Sequence, residues 1–208
     1  MKLIFVKTFI FLFVTCFSLS CIAQKSNNKP DKSLIKTFNK NFADADVQYK
    51  MLKKNLPENK FPKTFFPDSN KYEFSNSGWW CSGFYPGTLL YLYEQTKDTV
   101  LYNEATRIFS SLQKEQFNKN THDLGFMMYC SFGNANRIRP DKSYQDILVN
   151  SAKSLSTRFD PKTGTIKSWN SKPGDFLVII DNMMNLELLF WATRFTGDSS
   201  FYKKKNHL

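Results

Sequence analysis

Between residues 34 and 195 the apolar positions recur chiefly at intervals of three and four, the spacing that sets them on one face of an α-helix, and polar turns divide that pattern into segments. Leu34, Phe38, Phe42, Ala45, Tyr49 and Leu52 predict one long amphipathic helix, capped by Ser33 and stopped before Pro57. Leu89, Leu92 and Tyr93 predict a second. Asp98 is placed to cap a third, with Tyr102, Ala105, Ile108, Phe109 and Leu112 as its apolar stripe. A fourth follows His122 and Asp123 and runs to about Asn136. A fifth begins at Asp141 or Ser143 and turns Ile147, Leu148, Ala152 and Leu155 inward. From Asp181 a sixth carries Met184, Leu188, Trp191 and Phe195 at helical spacing and closes at Gly197, and Asp198 opens a seventh.

The interruptions add a wall and a few turns. Residues 57–78 hold Pro57, Pro62 and Pro67 among Asn and Ser, and read as a loop or a pair of short extended pieces. They lead into Gly78-Trp79-Trp80-Cys81-Ser82-Gly83-Phe84-Tyr85-Pro86-Gly87, a glycine-bounded turn. Trp and Tyr offer flat apolar faces with a polar edge, suited to stacking on a sugar ring or to filling a core. Two neighbouring Trp side chains do not enter the same core from a regular helix, which favours a pocket wall. Asp160-Pro161-Lys162-Thr163-Gly164 is a turn by composition, residues 165–169 a short strand, and residues 171–175 another turn. Helices joined mostly by short turns, with no strand pair strong enough to build a sheet, make the class all-α.

Residues 1–23 carry Lys2 and Lys7, an apolar stretch over residues 8–19 and then small residues, the layout of a secretory signal. Two processing routes fit: cleavage after Ala23, or lipidation of Cys21 after Ser18-Leu19-Ser20, which alone would tie the protein to a membrane. Both predict an exported protein, periplasmic or anchored to the outer membrane as a lipoprotein. Residues 24–32 are polar and read as a flexible tether, leaving residues 33–208 for the fold. With 41% hydrophobic and 16% aromatic residues among 208, the chain has ample material for a core. Its formal charge is +11, of which Lys2 and Lys7 supply two, leaving +9 for the rest. That balance favours acidic partners. The basic residues are dispersed, with one dense run at Lys203-Lys204-Lys205, so a solvated basic surface is favoured over a nucleic-acid footprint.

Asp123 and Asp181 each stand at the edge of an apolar helical run, where a carboxylate is costly to desolvate unless something binds it or uses its proton. Both also sit at predicted helix starts, where Asp is a favoured N-cap. The two roles are compatible, because a capped carboxylate can still face a cleft. His122 is one of two histidines, the other being His207. With no HxxxH pair, no His-rich segment and no CxxC, no metal is expected. Spacing leaves open whether Cys81 and Cys130 pair or stay as thiols. There is no glycine-rich phosphate loop and no GxSxG elbow, and no cofactor is expected.

Trp80-Cys81-Ser82-Gly83-Phe84-Tyr85-Pro86-Gly87, then His122-Asp123-Leu124-Gly125-Phe126, then Ile180-Asp181-Asn182-Met183-Met184-Asn185-Leu186 followed by Leu189-Phe190-Trp191-Ala192, resemble glycoside hydrolase family 88, the unsaturated glucuronyl hydrolases. The resemblance runs from about Ser33 to Leu208 and covers the N-terminal part of the family's length. It implies an (α/α)6 barrel, the six-hairpin glycosidase fold, incomplete in this chain, and a protein poorly stable and inactive without the remainder. It implies hydration of the C4=C5 double bond of the unsaturated uronic acid that polysaccharide lyases leave at a non-reducing end. In that scheme Asp181 is the catalytic acid and base, and Asp123 orients the substrate and supports the charge state of Asp181. Trp80, Phe84, His122 and Trp169 are implied as substrate-binding residues, with an unsaturated acidic oligosaccharide of glycosaminoglycan type as partner. Two alternatives stand beside it: an unsaturated rhamnogalacturonyl hydrolase of family 105 acting on pectin fragments, and a non-catalytic glycan-binding helical protein in which both Asp residues only cap.

Overall fold

A computed structural model describes residues 29–203. The expected signal, residues 24–28 of the tether, and Lys204 and Lys205 of the basic run lie outside the described residues. The chain forms two compact units, Met1–Phe38 and Asn39–Leu208. The described part of the first unit holds the opening turns of helix α1 (Lys32–Asn55). Asp31 rather than Ser33 caps them, since its Oδ1 accepts both the Ser33 N–H and the Ser33 hydroxyl at 2.8 Å. A carboxylate is the stronger acceptor here and Ser33 serves as donor.

In the second unit, the face of α1 formed by Phe42, Ala45, Tyr49 and Leu52 packs on the core. Strands β1 (Phe61–Phe66) and β2 (Lys71–Ser75) follow as an antiparallel hairpin whose register is irregular between Pro62 and Thr64. Proline cannot donate to a ladder, so the irregularity falls beside it. Residues 57–78, read as a loop or a pair of short extended pieces, hold this hairpin, and the expectation that no strand pair would build a sheet is corrected: β1 and β2 pair, as do the two-residue strands β3 (Phe159–Asp160) and β4 (Thr165–Ile166). The helices are α2 (Phe84–Thr96), α3 (Thr99–Leu112), a π-helix (Gly125–Gly133) that continues into α4 (Asn134–Ile138), α5 (Lys142–Ser156), α6 (Asn182–Thr196) and α7 (Ser200–Lys203). No helix among the described residues is long and apolar enough to cross a membrane.

The all-α expectation holds, and the helices lie in two rows. The π-helix packs against α2 on one side and α6 on the other; α3 backs α2, while α5 backs the π-helix and α6. Leu89, Ile108, Leu112, Met127, Leu148 and Leu189 meet between the rows, all buried. Two glycines let α2 lie almost on the π-helix backbone: a Cβ at Gly83 would stand 2.2 Å from the Met127 carbonyl oxygen, and one at Gly87 would stand 2.5 Å from that of Cys130. These paired contacts ascend both helices together, so α2 and the π-helix run parallel with their N-termini at the same end. Gly125 against Asn185 and Tyr129 against Trp191 bring α6 into the same direction.

The inward face of α6 differs from the expected stripe. Leu186, Leu188, Leu189 and Ala192 are buried, whereas Met184 is 62% and Phe195 48% exposed. Asn182 and Asn185 set the rotation: Asn182 Nδ2 donates to the Ile166 carbonyl at 2.6 Å, and Asn185 Oδ1 accepts the Phe126 N–H at 3.0 Å. From Asn185 the next positions on that face are Leu188, Leu189 and Ala192, which turns Met184 and Phe195 outward.

Candidate active site

Asp123 precedes the π-helix and Asp181 precedes α6, so parallel packing brings both carboxylates to one end of the inner row. His122 joins them. Its Nε2 lies 3.4 Å from Asp123 Oδ1 and 3.3 Å from Asp181 Oδ1, while Nδ1 stands 2.6 Å from the Ser168 carbonyl oxygen. A carbonyl only accepts, so Nδ1 carries a hydrogen and points it at Ser168. Nε2 therefore faces two carboxylates; the oxygen placed to share a hydrogen with it is Asp181 Oδ2 at 3.4 Å, an arrangement that is favourable when a proton sits between those two atoms.

Neither carboxylate caps its helix. Leu124 and Asp181 occupy the N-cap positions with no side-chain cap hydrogen bond. Asp123 uses its main-chain carbonyl to accept the Met127 N–H at 2.9 Å, and its Oδ2 accepts the Thr121 hydroxyl at 2.9 Å. Burial pushes the Asp123 carboxyl above its ordinary value, aided by the Asp181 charge and opposed by His122 and the Thr121 hydrogen bond. Asp181 is the more open, its side chain 38% exposed against 13% for Asp123. Its Oδ1 is nonetheless buried and accepts no hydrogen bond among the described residues, the Nε2 contact being out of line for one.

Ser168 and Arg158 hold this centre in place, and sequence reasoning missed both. Ser168 is fully buried; its N–H donates to the Leu177 carbonyl at 2.8 Å and its Oγ accepts the Ile179 N–H at 3.0 Å, fixing the segment that delivers Asp181. Arg158, 8% exposed, donates to the carbonyls of Lys119, Lys167 and Ser168 at 2.8, 2.8 and 3.1 Å. The Ser168 carbonyl thus receives both Arg158 and His122. Arg158 bonds backbone oxygens, which leave no trace in residue spacing; its only signal is a lone arginine at the end of α5, just before β3.

The aromatic wall stands beside the acids. Trp80, Phe84 and Phe126 meet edge to face with centroids 5.5 to 5.8 Å apart, and Phe126 lies one turn past Asp123. Trp169 stands edge-on to His122 at 5.9 Å and is half exposed. The structure thus brings together Asp123, Asp181, His122 and Trp169, with Trp80 and Phe84 joined to them through Phe126, a residue not singled out from the sequence. His122 was expected among the substrate-binding residues; at 2% exposure it is enclosed and reaches the open side through the two carboxylates. Cys81 and Cys130 are free thiols. Among the described residues His122, Asp123 and Asp181 could each offer one ligand atom to a cation, these atoms lying within 4.8 Å of one another. The contact to Ser168 leaves Nε2 as the ring nitrogen available to such an ion or to the shared proton.

No family model matches the chain. Over 193 residues it is 35% identical to an unsaturated glucuronyl hydrolase of Formosa agariphila, a match covering 91% of this chain and 48% of that protein. It is 30% identical over 146 residues to an unsaturated chondroitin disaccharide hydrolase of Streptococcus pneumoniae, covering 68% of this chain and 36% of that protein. The crystal structure of an unsaturated glucuronyl hydrolase specific for heparin superposes with a TM-score of 0.76 at 39% identity, over 81% of this chain and 46% of that one. The chain spans about half the length of the first of these relatives and about a third of the second. Similarity in sequence and in its all-helical fold, over most of its own length, places this chain in the unsaturated glucuronyl hydrolases, glycoside hydrolase family 88.

Proposed function

We propose that the protein carrying this chain is a glycosidase that removes the unsaturated uronic acid from the non-reducing end of lyase-generated, glycosaminoglycan-type oligosaccharides by hydrating its C4=C5 double bond. One observation carries this: two carboxylates at helix starts cap nothing and instead converge on the same histidine nitrogen. Asp181, with its open side chain and an oxygen that accepts no hydrogen bond, gives its proton to C4 and takes one from the water that adds to C5. Its proton is thereby restored, and the resulting hemiketal rearranges with opening of the glycosidic bond. Asp123, enclosed and tied to Thr121, orients the sugar and supports the charge state of Asp181. Trp80, Phe84 and Trp169 form the faces against which the ring packs. The N-terminal ends of α2, the π-helix and α6 meet at this end of the fold, a field that favours a uronate carboxylate. The leader-like residues 1–23 support export to the periplasm or, through Cys21, attachment to the outer membrane.

The test follows loss of the double-bond ultraviolet absorbance of unsaturated chondroitin and heparin disaccharides by the protein extended to the family's length, with Asp181→Asn in that same protein as blank. Consumption by the wild type and not by the variant is expected. Turnover that survives Asp181→Asn, or no turnover on either substrate, contradicts the reading and leaves a glycan-binding protein in its place.

A further inference from the structure

A zinc ion held by imidazole nitrogen and carboxylate oxygen lies about 2.0 to 2.1 Å from each ligand, and a tetrahedron of that size sets neighbouring ligand atoms about 3.3 to 3.4 Å apart. His122 Nε2 stands 3.3 Å from Asp181 Oδ1 and 3.4 Å from Asp123 Oδ1. Both separations match an edge of that tetrahedron. The three atoms all lie within 4.8 Å of one another, so the remaining edge, between the carboxylates, closes with a small swing of Asp181, the more open side chain.

A second observation points to a ligand. Asp181 Oδ1 is buried and accepts no hydrogen bond among the described residues, since the hydrogen shared with Nε2 falls to its neighbour Oδ2. A buried acceptor left unused is costly, and here it stands within reach of two other ligand atoms. Those two already carry the outer bonds that steady metal-binding side chains. Nδ1 of His122 donates to the Ser168 carbonyl, and Oδ2 of Asp123 accepts the Thr121 hydroxyl. One imidazole with two carboxylates suits zinc and its transition-metal neighbours, whereas Ca²⁺ and Mg²⁺ take six or more oxygen ligands. The expectation of no metal rested on local motifs, and these ligands meet from two helix starts 59 residues apart.

We propose that His122 Nε2, Asp123 Oδ1 and Asp181 Oδ1 form a three-ligand site for a divalent cation of the zinc class, its fourth position facing the open side of Asp181, and that the bound ion blocks turnover. It does so by holding the carboxylate that must be free to give and take a proton. The blocking rests on the unsaturated glucuronyl hydrolase reading; the binding does not.

The test reads binding without substrate, on the protein extended to the family's length: Co²⁺ reports tetrahedral coordination by its visible absorption, and calorimetry gives the Zn²⁺ affinity. Wild type is compared with His122→Gln, Asp181→Asn and Asp141→Asn, the last an acid outside the trio. Wild type and Asp141→Asn should show the visible bands and equal Zn²⁺ affinity. That affinity should fall about ten-fold or more in Asp181→Asn and about a hundred-fold or more in His122→Gln. A wild type that binds no Zn²⁺, or equal affinity in all four proteins, overturns the site. Should His122→Gln fail to melt cooperatively, Asp181→Asn, altered at an open side chain, decides in its place. Zn²⁺ should also suppress loss of the double bond of unsaturated chondroitin disaccharide, and EDTA should restore it. Full turnover at a Zn²⁺ concentration that saturates the site overturns the blocking. If the metal-free wild type consumes no substrate, the activity reading fails and the blocking with it, and the binding series alone decides the site.

Discussion

Asp98 and Asp141 on one side, Asp123 and Asp181 on the other, all stand at helix starts and use their carboxylates in opposite ways. Asp98 Oδ1 accepts the Val100 N–H at 2.8 Å, and Asp141 Oδ1 accepts the Ser143 N–H at 2.7 Å. Both carboxyls are held below the ordinary range, Asp98 chiefly by its bond from Lys50 and Asp141 chiefly by the Ser143 hydroxyl. Asp123 and Asp181 leave the helix N–H groups alone and turn to His122, and burial raises Asp123. The same residue in the same local position thus stabilises a helix when its ionised form is solvated and bonded, and holds or moves a proton when it is enclosed beside another carboxylate.

Substitutions separate the two kinds. Asp181→Asn should lower kcat by about 10² to 10⁴-fold with the melting curve little changed, the range that a general acid or base contributes. Arg158→Met should lower kcat by about ten- to a hundred-fold, because the Ser168 carbonyl loses one of its two donors and His122 loses its fixed bearing. Arg158→Lys should recover only part of this, and steady-state kinetics of the pair checks it. Asp98→Ala should cost about 1 kcal/mol of stability with kcat/KM intact, read by chemical denaturation. Because the Asp98 carboxyl is lowered on folding, that contribution is present above the ordinary carboxylate range and disappears as pH falls through the folded-state value. Asp123→Asn should act in the other direction. A carboxyl raised on folding adds no penalty below its ordinary value and weakens the fold as pH rises through the folded-state value. The variant should therefore melt a few degrees higher near neutrality and equal wild type at about pH 3, while losing activity.

The sequence carried most of the helices because apolar spacing is a local property. Asp98 was readable as a cap for the same reason, and the start of α5 was narrowed to Asp141 or Ser143, of which the bonding selects Asp141. At α1 the cap was misplaced by two residues, since Ser33 and Asp31 both suit the position and only the bonding shows which one accepts. The π-helix left no signal: its start is set where Gly125 lies under Asn185, a contact between residues 60 apart. The acids were visible as charges beside apolar runs. Their convergence on Nε2 depends on Ser168 and Arg158, which bond chiefly to main-chain groups, and on the parallel packing of three helices. None of these is written in residue spacing.

The shared histidine nitrogen is the centre of this account, and the chain holds only two histidines, so ¹⁵N imidazole NMR resolves His122 from His207 without ambiguity. Wild type and Asp181→Asn should both show a hydrogen on Nδ1 of His122 throughout the pH range of the folded protein, with the Nε2 signal differing between them. A neutral His122 that carries its hydrogen on Nε2, or an Nε2 signal indifferent to Asp181, would contradict the proton-sharing centre.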